Sequence, residues 1–260
     1  MLWAFHDTKK RDRGSARVSI LIGLVSLALI SLGLRVVGLG WGMPDYDPSL
    51  IQYSAYRHSY HLDEDNFLWG LALMHEAGDW DVRVYHWGTL HFFLIDGALM
   101  LGSFVGIVPM PWHKAFLAGD TEALPGLYVL GRTVSVIAGV ACTLVVAWLG
   151  ALLAGWRAGL AGGLAYALAP LAVIGAHYLT NDLTMSAMVA GSVLAAAAAV
   201  KGGKWGWLAL SGFLLGLAIS AKYSAGFSGL ALLAGQGLVI VDSARQVKSD
   251  RCADRRRTGP

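Results

Sequence analysis

Apolar runs long enough to cross a lipid bilayer recur along this chain, and no other feature constrains its fold as strongly. The first covers residues 18 to about 40, and others follow at about 126–154, 158–175, 182–200, 205–220 and 224–241. Inside a bilayer every backbone N–H and C=O must be bonded within the protein, which only helices and closed barrels achieve. A barrel would show segments of about ten residues with alternating polarity, whereas these runs are continuously apolar. The chain is therefore read as an all-α polytopic membrane protein. Composition agrees: 56% of the 260 residues are hydrophobic and 14% charged, which excludes an ordinary soluble domain. The 33 glycines, with many Ala and Ser, suit close helix packing in lipid, and the alanine run at 195–199 reads as one such packing face.

Charge placement orients the runs. The net charge is only +3, but Lys9, Lys10, Arg11 and Arg13 precede the first run, and Arg251, Arg255, Arg256 and Arg257 follow the last. Basic ends of this kind set membrane orientation and do not point to nucleic acid. A cleavable signal peptide is the competing reading of the first run, which is too long for one and lacks a small-residue cleavage site. Residues 1–17 are thus expected in the cytoplasm of a multi-pass membrane protein, with a membrane domain over 18–242 and a disordered basic tail over 243–260. The connections at 155–157 and 201–204 carry Arg157, Lys201 and Lys204, whereas the connection at 178–182 carries no positive charge. If the positive connections share one side, alternation works only when the apolar stretch at 88–108, which holds His91 and Asp96, does not complete a crossing. Residues 41–125 then form one long outer loop. Cys142 lies in an apolar run and Cys252 in the basic tail, so neither a disulfide framework nor a Cys-x-x-Cys metal site is expected.

Within that loop, His61-Leu62-Asp63-Glu64-Asp65 precedes a helical pattern with apolar positions at Phe67, Leu68, Leu71, Ala72 and Met74. Asp63 is placed near the cap and Glu64 and Asp65 in the first turn. A helix N-terminus favours ionised carboxylates, the state that a general base or a metal ligand needs, although simple capping also accounts for them. Asp182 stands before another helix and has the same two readings. Lys222 lies between two apolar runs and Arg132 about two turns into a third. Arg132 either pairs with a carboxylate from the outer loop or clamps a phosphate, and Lys222 is either a cation for a phosphate or a side chain that snorkels to the headgroups. Arg35, near the exit of the first run, either snorkels or faces the site. Ionisable groups at membrane depth typically cost about 2.5–3.5 kcal/mol on insertion scales, so each needs a partner or a function.

These residues occur in a familiar order: Arg35, Asp63-Glu64, Gly88-Thr89-Leu90, Arg132, Tyr178-Leu179-Thr180-Asn181-Asp182, and Gly216-Leu217-Ala218 ahead of Lys222-Tyr223. In this the chain resembles the GT-C glycosyltransferases, and within them the branch of protein O-mannosyltransferases and aminoarabinose transferases, over about residues 20–240. The resemblance implies inverting transfer of a sugar from a polyprenyl-phosphate donor to an acceptor hydroxyl of a lipid, glycan or protein, outside the cytoplasm. It implies Asp63, with Glu64 beside it, as general base and Asp182 as a second acid of the site. Lys222, Arg132, Tyr178, Tyr223 and Arg35 are the implied substrate-binding residues. It also implies juxtamembrane helices in the first outer loop. No protein metal ligands are assigned, and a divalent cation is left open as a cofactor. A proline-containing segment usual near Gly88 is replaced by His86-Trp87-Gly88, and members of the family usually run longer, so an N-terminal portion is expected.

Two other readings compete. Six of the eight histidines, His58, His61, His75, His86, His91 and His113, fall in the outer loop and with its acids suggest a metal site or metal transporter, but no His-x3-His pair sits on an obvious helix. A transporter without transferase activity would show charges in the middle of several helices, whereas here they collect at one face. The loop aromatics, among them Trp41, Tyr46, Tyr53, Tyr56, Tyr60, Trp80, Tyr85 and Trp87, read first as interfacial anchors and second as sugar-stacking surfaces.

Overall fold

The computed structural model describes residues 2–43, 61–202 and 205–235, and helices account for all of its regular structure. The expectations for His58, Tyr46, Tyr53, Tyr56, Tyr60, Cys252 and the 243–260 tail fall outside the described residues. The elements are α1 (Leu2–Val36), α2 (Leu62–Ala77), α3 (Leu90–Phe104), α4 (Trp112–Ala118), α5 (Leu124–Ala154), α6 (Trp156–Leu168), α7 (Pro170–Ile174), α8 (Asn181–Gly202) and α9 (Trp205–Ala221). Short 3-10 turns follow α7 at Gly175–His177 and α9 at Tyr223–Ala225, and a further helix occupies 226–235.

Among the described residues three helices are long and apolar enough to cross a membrane: the Arg17–Val36 part of α1, α5 and α8. The run at 158–175, expected as one helix, is instead α6 and α7 bent by 62°, and counting that pair as one broken span gives a fourth. The break falls at Pro170, which has no N–H for the helix ladder and whose ring excludes the carbonyl a turn earlier. Six spans were expected. By length and apolarity the described residues support up to four; α9 has 17 residues, and the run expected at 224–241 lies only partly within the described residues. At 15 residues α3 is about 22 Å long, short of a hydrocarbon core of about 30 Å, in line with a stretch at 88–108 that does not cross.

The 31-residue α5 is the axis of the molecule, packed by α1, α3, α6 and α8, with α9 against α8. Its Gly131, Ser135, Gly139, Thr143 and Ala147 are buried, and these small side chains let the neighbouring helices approach closely. Ala195, Ala196 and Ala199 of α8 are buried as the alanine run implied, and the Ser192 hydroxyl lies 2.8 Å from the Ser211 carbonyl oxygen, joining α8 to α9. At one end of the bundle the Lys201 ammonium donates to the Leu152 carbonyl, so the two positive connections lie together. At the other end α2, α3 and α4 fold into a separate apolar cluster. Phe67, Leu68, Leu71 and Met74 of α2 pack there with Phe92, Ile95 and Leu99 of α3, Trp112 and Phe116 of α4, and Leu124, Leu127 and Tyr128 of α5. Each large apolar side chain so buried contributes about 1.5–3 kcal/mol, which holds the juxtamembrane helices onto the end of α5.

Candidate functional site

The start of α2 is capped by His61, not by Asp63: the His61 Nδ1 accepts from the Asp63 backbone N–H at 3.3 Å, so Asp63, Glu64 and Asp65 all occupy the first turn. A histidine ring nitrogen does here what a Ser or Asp oxygen usually does. The three adjacent acids then meet three different environments, because successive helical residues point about 100° apart.

Glu64 is completely buried against Arg132, itself 0% exposed. Arg132 donates through Nε to Oε1 at 2.8 Å and through Nη2 to Oε2 at 2.7 Å, a bidentate pair. Its Nη1 donates to the carbonyl oxygens of Leu39 and Trp41, at 2.6 and 2.7 Å, just past the end of α1. Glu64 Oε1 also accepts the Leu179 backbone N–H at 2.7 Å. One buried carboxylate thereby gathers α1, α2, α5 and the α7–α8 connection. Asp65, also buried, accepts the Tyr128 hydroxyl. The Asp63 side chain is half-buried and its carboxylate has no hydrogen-bond or ion-pair partner among the described residues.

The second acidic segment comes to the same place. Tyr178 lies over the Arg132 guanidinium at 5.6 Å and its ring centroid is 4.9 Å from that of His61. Three residues beyond Leu179, Asp182 sits in the first turn of α8 and pairs with Lys222 at 2.5 Å, an exposed contact. Asn181 Nδ2 donates to the Ala221 carbonyl at 3.0 Å and so fixes the end of α9 against the start of α8. Tyr223 is exposed just beyond Lys222. The Trp87–Thr89 turn packs on the same end of α9: a Cβ on Gly88 would stand 2.1 Å from the Ser220 carbonyl oxygen. Arg35 is buried inside the bundle, where its Nη1 donates to the Ser31 hydroxyl at 2.8 Å, the Ser31 carbonyl at 3.0 Å and the Ala167 carbonyl at 3.4 Å.

Beside this cluster lies a pocket of about 280 Å³ lined by Gly38, Trp41, Ile174, His177 and Tyr178. Among the described residues no three His, Cys, Asp or Glu side chains are placed to hold a metal ion. His75 bonds Asp96 at 2.7 Å and stacks on His113, linking α2, α3 and α4. His91 is buried with Nδ1 2.9 Å from the Thr184 hydroxyl, and burial pushes its imidazole down to about 3, so it is neutral. The sequence assigns no role to Tyr128 or Thr184, and its reading of Asp65 and His91 as possible metal ligands differs from the contacts to Tyr128 and Thr184 found here; a Tyr one turn before Arg132 on the same helix face is the available signal for Tyr128.

Residues 127–252 match the family model described as dolichyl-phosphate-mannose-protein mannosyltransferase. The match covers just under half of the chain and includes Arg132, Tyr178, Asp182, Lys222 and Tyr223, while Arg35 and the α2 acids lie ahead of it. It marks this part of the chain as a glycosyltransferase domain of the GT-C type, in agreement with the order of motifs along the sequence. No curated protein and no solved structure matches the chain.

Proposed function

We propose that this protein transfers a sugar from a polyprenyl-phosphate carrier to an acceptor hydroxyl at the outer face of a bacterial inner membrane, with inversion at the anomeric carbon. The observation that carries the reading is the division of labour among three consecutive acids. Glu64 and Asp65 are committed to Arg132 and Tyr128, while the Asp63 carboxylate on the same helix turn has no partner among the described residues.

In this reading Asp63 takes the proton from the acceptor hydroxyl as its oxygen attacks the anomeric carbon from the face opposite the phosphate. The bond from that carbon to the phosphate oxygen breaks, and the phosphate leaves with the electron pair. Lys222, held by Asp182, meets the growing negative charge, and such preorganised charge is commonly the largest catalytic contribution. Tyr178 and Tyr223 offer ring faces to the sugar or its carrier. Arg132 and Arg35 serve by holding the helix ends together. A divalent cation, if used, would reach the site on the donor phosphate, since the protein offers no ligand set of its own among the described residues.

The test is transfer from a polyprenyl-phosphate sugar in proteoliposomes. Asp63→Asn is expected to slow transfer by about 10²–10⁴-fold without lowering the unfolding midpoint. Unchanged transfer by the variant would remove the reading.

A further inference from the structure

Lys222 is the single residue between α9 and the 3-10 turn that follows it, and its backbone is extended there, at φ −153° and ψ 124°. Its N–H closes the last bond of α9, to the Ala218 carbonyl at 2.9 Å, and its carbonyl accepts from the Ala225 N–H at 3.0 Å. The Lys222 ammonium bonds Asp182, but the two side chains are 30% and 54% exposed. An exposed pair holds a long, flexible side chain only weakly. The place of the ammonium is therefore set first by where the Lys222 backbone leaves α9.

The last carbonyls of a helix lack helical donors, and the Ala221 carbonyl, directly ahead of Lys222, takes one from α8: Asn181 Nδ2 donates to it at 3.0 Å. Asn181 is 3% exposed and Ala221 is fully buried, so removing the donor leaves a buried acceptor unsatisfied, which is the costly case. The two residues before Asn181 are tied to the rest of the site. The Thr180 carbonyl accepts the Ser135 hydroxyl of α5 at 3.3 Å, and the Leu179 N–H donates to Glu64 at 2.7 Å. Glu64 adjoins Asp63 in the first turn of α2. A continuous run of bonds thus leads from the turn that carries Asp63, through Glu64, Leu179 and Asn181, to the backbone of Lys222.

We propose that Asn181 is a positioning residue that sets the spacing between Asp63 and Lys222. The roles of those two groups, base and phosphate cation, rest on the glycosyltransferase reading; the buried bond does not. Asn181 acts through the Lys222 backbone, and Asp182 beside it steers only the side-chain tip. Base and cation act in one step on opposite sides of the anomeric carbon, so a displacement of about 1 Å in either can cost on the order of 10²-fold in rate. The loss falls on kcat, because Lys222 meets charge that grows only as the bond to the phosphate breaks.

Transfer in proteoliposomes is compared for the wild type, Asn181→Leu, Lys222→Ala and the double variant. Asn181→Leu, similar in shape but without a donor, should lower kcat by about 10–100-fold with little change in the donor KM. In the Lys222→Ala background it should cost nothing further, because the group it displaces is gone. An equal loss in both backgrounds would mean that Asn181 does not act through Lys222 and would overturn the proposal. A second arm reads Lys222 directly, by acylating the full chain with an amine reagent and following each lysine by mass spectrometry, with exposed Lys114 as internal standard. The Lys222 to Lys114 ratio should rise several-fold in Asn181→Leu and in the milder Asn181→Ser, as the ammonium is released from Asp182. An unchanged ratio would overturn the proposal, as would loss of a cooperative melt in both variants, which would make Asn181 a determinant of folding alone. If the wild type transfers no sugar, the functional reading falls, and the labelling ratio still decides whether Asn181 places Lys222.

Discussion

Replacing Glu64 by Gln keeps the shape of the side chain and removes its charge, and the consequence follows from the contacts. The amide oxygen can still accept from Arg132 Nε and the Leu179 N–H, but the amide NH2 then faces the Arg132 Nη2, donor against donor, at a site where both side chains are 0% exposed. Arg132 is left as a buried, uncompensated cation. Breaking one side of a buried pair in this way typically costs about 3–5 kcal/mol. For a chain of this size each kcal/mol moves the thermal midpoint by roughly 2–4 °C, so a loss on the order of 10 °C is expected. Arg132→Met should cost at least as much, because it also strips the buried Leu39 carbonyl of its Arg132 donor at about 1–3 kcal/mol for a buried group left unsatisfied. The Glu64→Leu/Arg132→Met double variant should lose less than the sum of the two single variants, since it leaves no lone charge. Tryptophan-fluorescence melts in detergent measure all of these. A Glu64→Gln midpoint within a couple of degrees of wild type, or a strictly additive double variant, would refute the view that this pair holds the site together.

Further outcomes follow from other contacts. Lys222→Ala removes an exposed pair with Asp182, so stability should change by under about 1 kcal/mol while sugar transfer falls sharply; a large loss of stability with normal transfer would mean the pair is structural. Gly88→Ala forces a Cβ to within 2.1 Å of the Ser220 carbonyl oxygen, and melts should show a cost of about 1–3 kcal/mol as the turn moves off α9. Burial foremost, with His75 alongside, pushes the His113 imidazole below its ordinary value. A histidine depressed in the folded state resists protonation there, so its contribution is intact above the ordinary value of about 6.5 and is lost as pH falls towards the lower folded value. Exchange protection of α4, corrected for the intrinsic rate, should therefore decline on acidification, and His113→Gln should remove that decline.

Several features were legible because they are local. The α2 face was read from Phe67, Leu68, Leu71, Ala72 and Met74, and every one of these is buried, as a 3.6-residue period requires once one side meets a core. The stretch at 88–108 was kept from crossing by charge alternation, and α3 proves too short to span. The bend at Pro170 was missed because run length was weighed above a single proline, although its missing N–H is a local signal. The cap at His61 escaped because histidine seldom caps a helix.

The order of residues alone established a helical membrane protein, three acids on one helix turn, and the cations that stand near its apolar runs. Those are consequences of hydrophobic period and run length, which act between neighbours along the chain. Which acid is locked, and which has no partner among the described residues, was decided by tertiary structure, because the partners of Glu64 lie 68 and 115 residues away, at Arg132 and Leu179. A carboxylate's role depends on which helix ends pack against it, and that is settled only when the bundle closes.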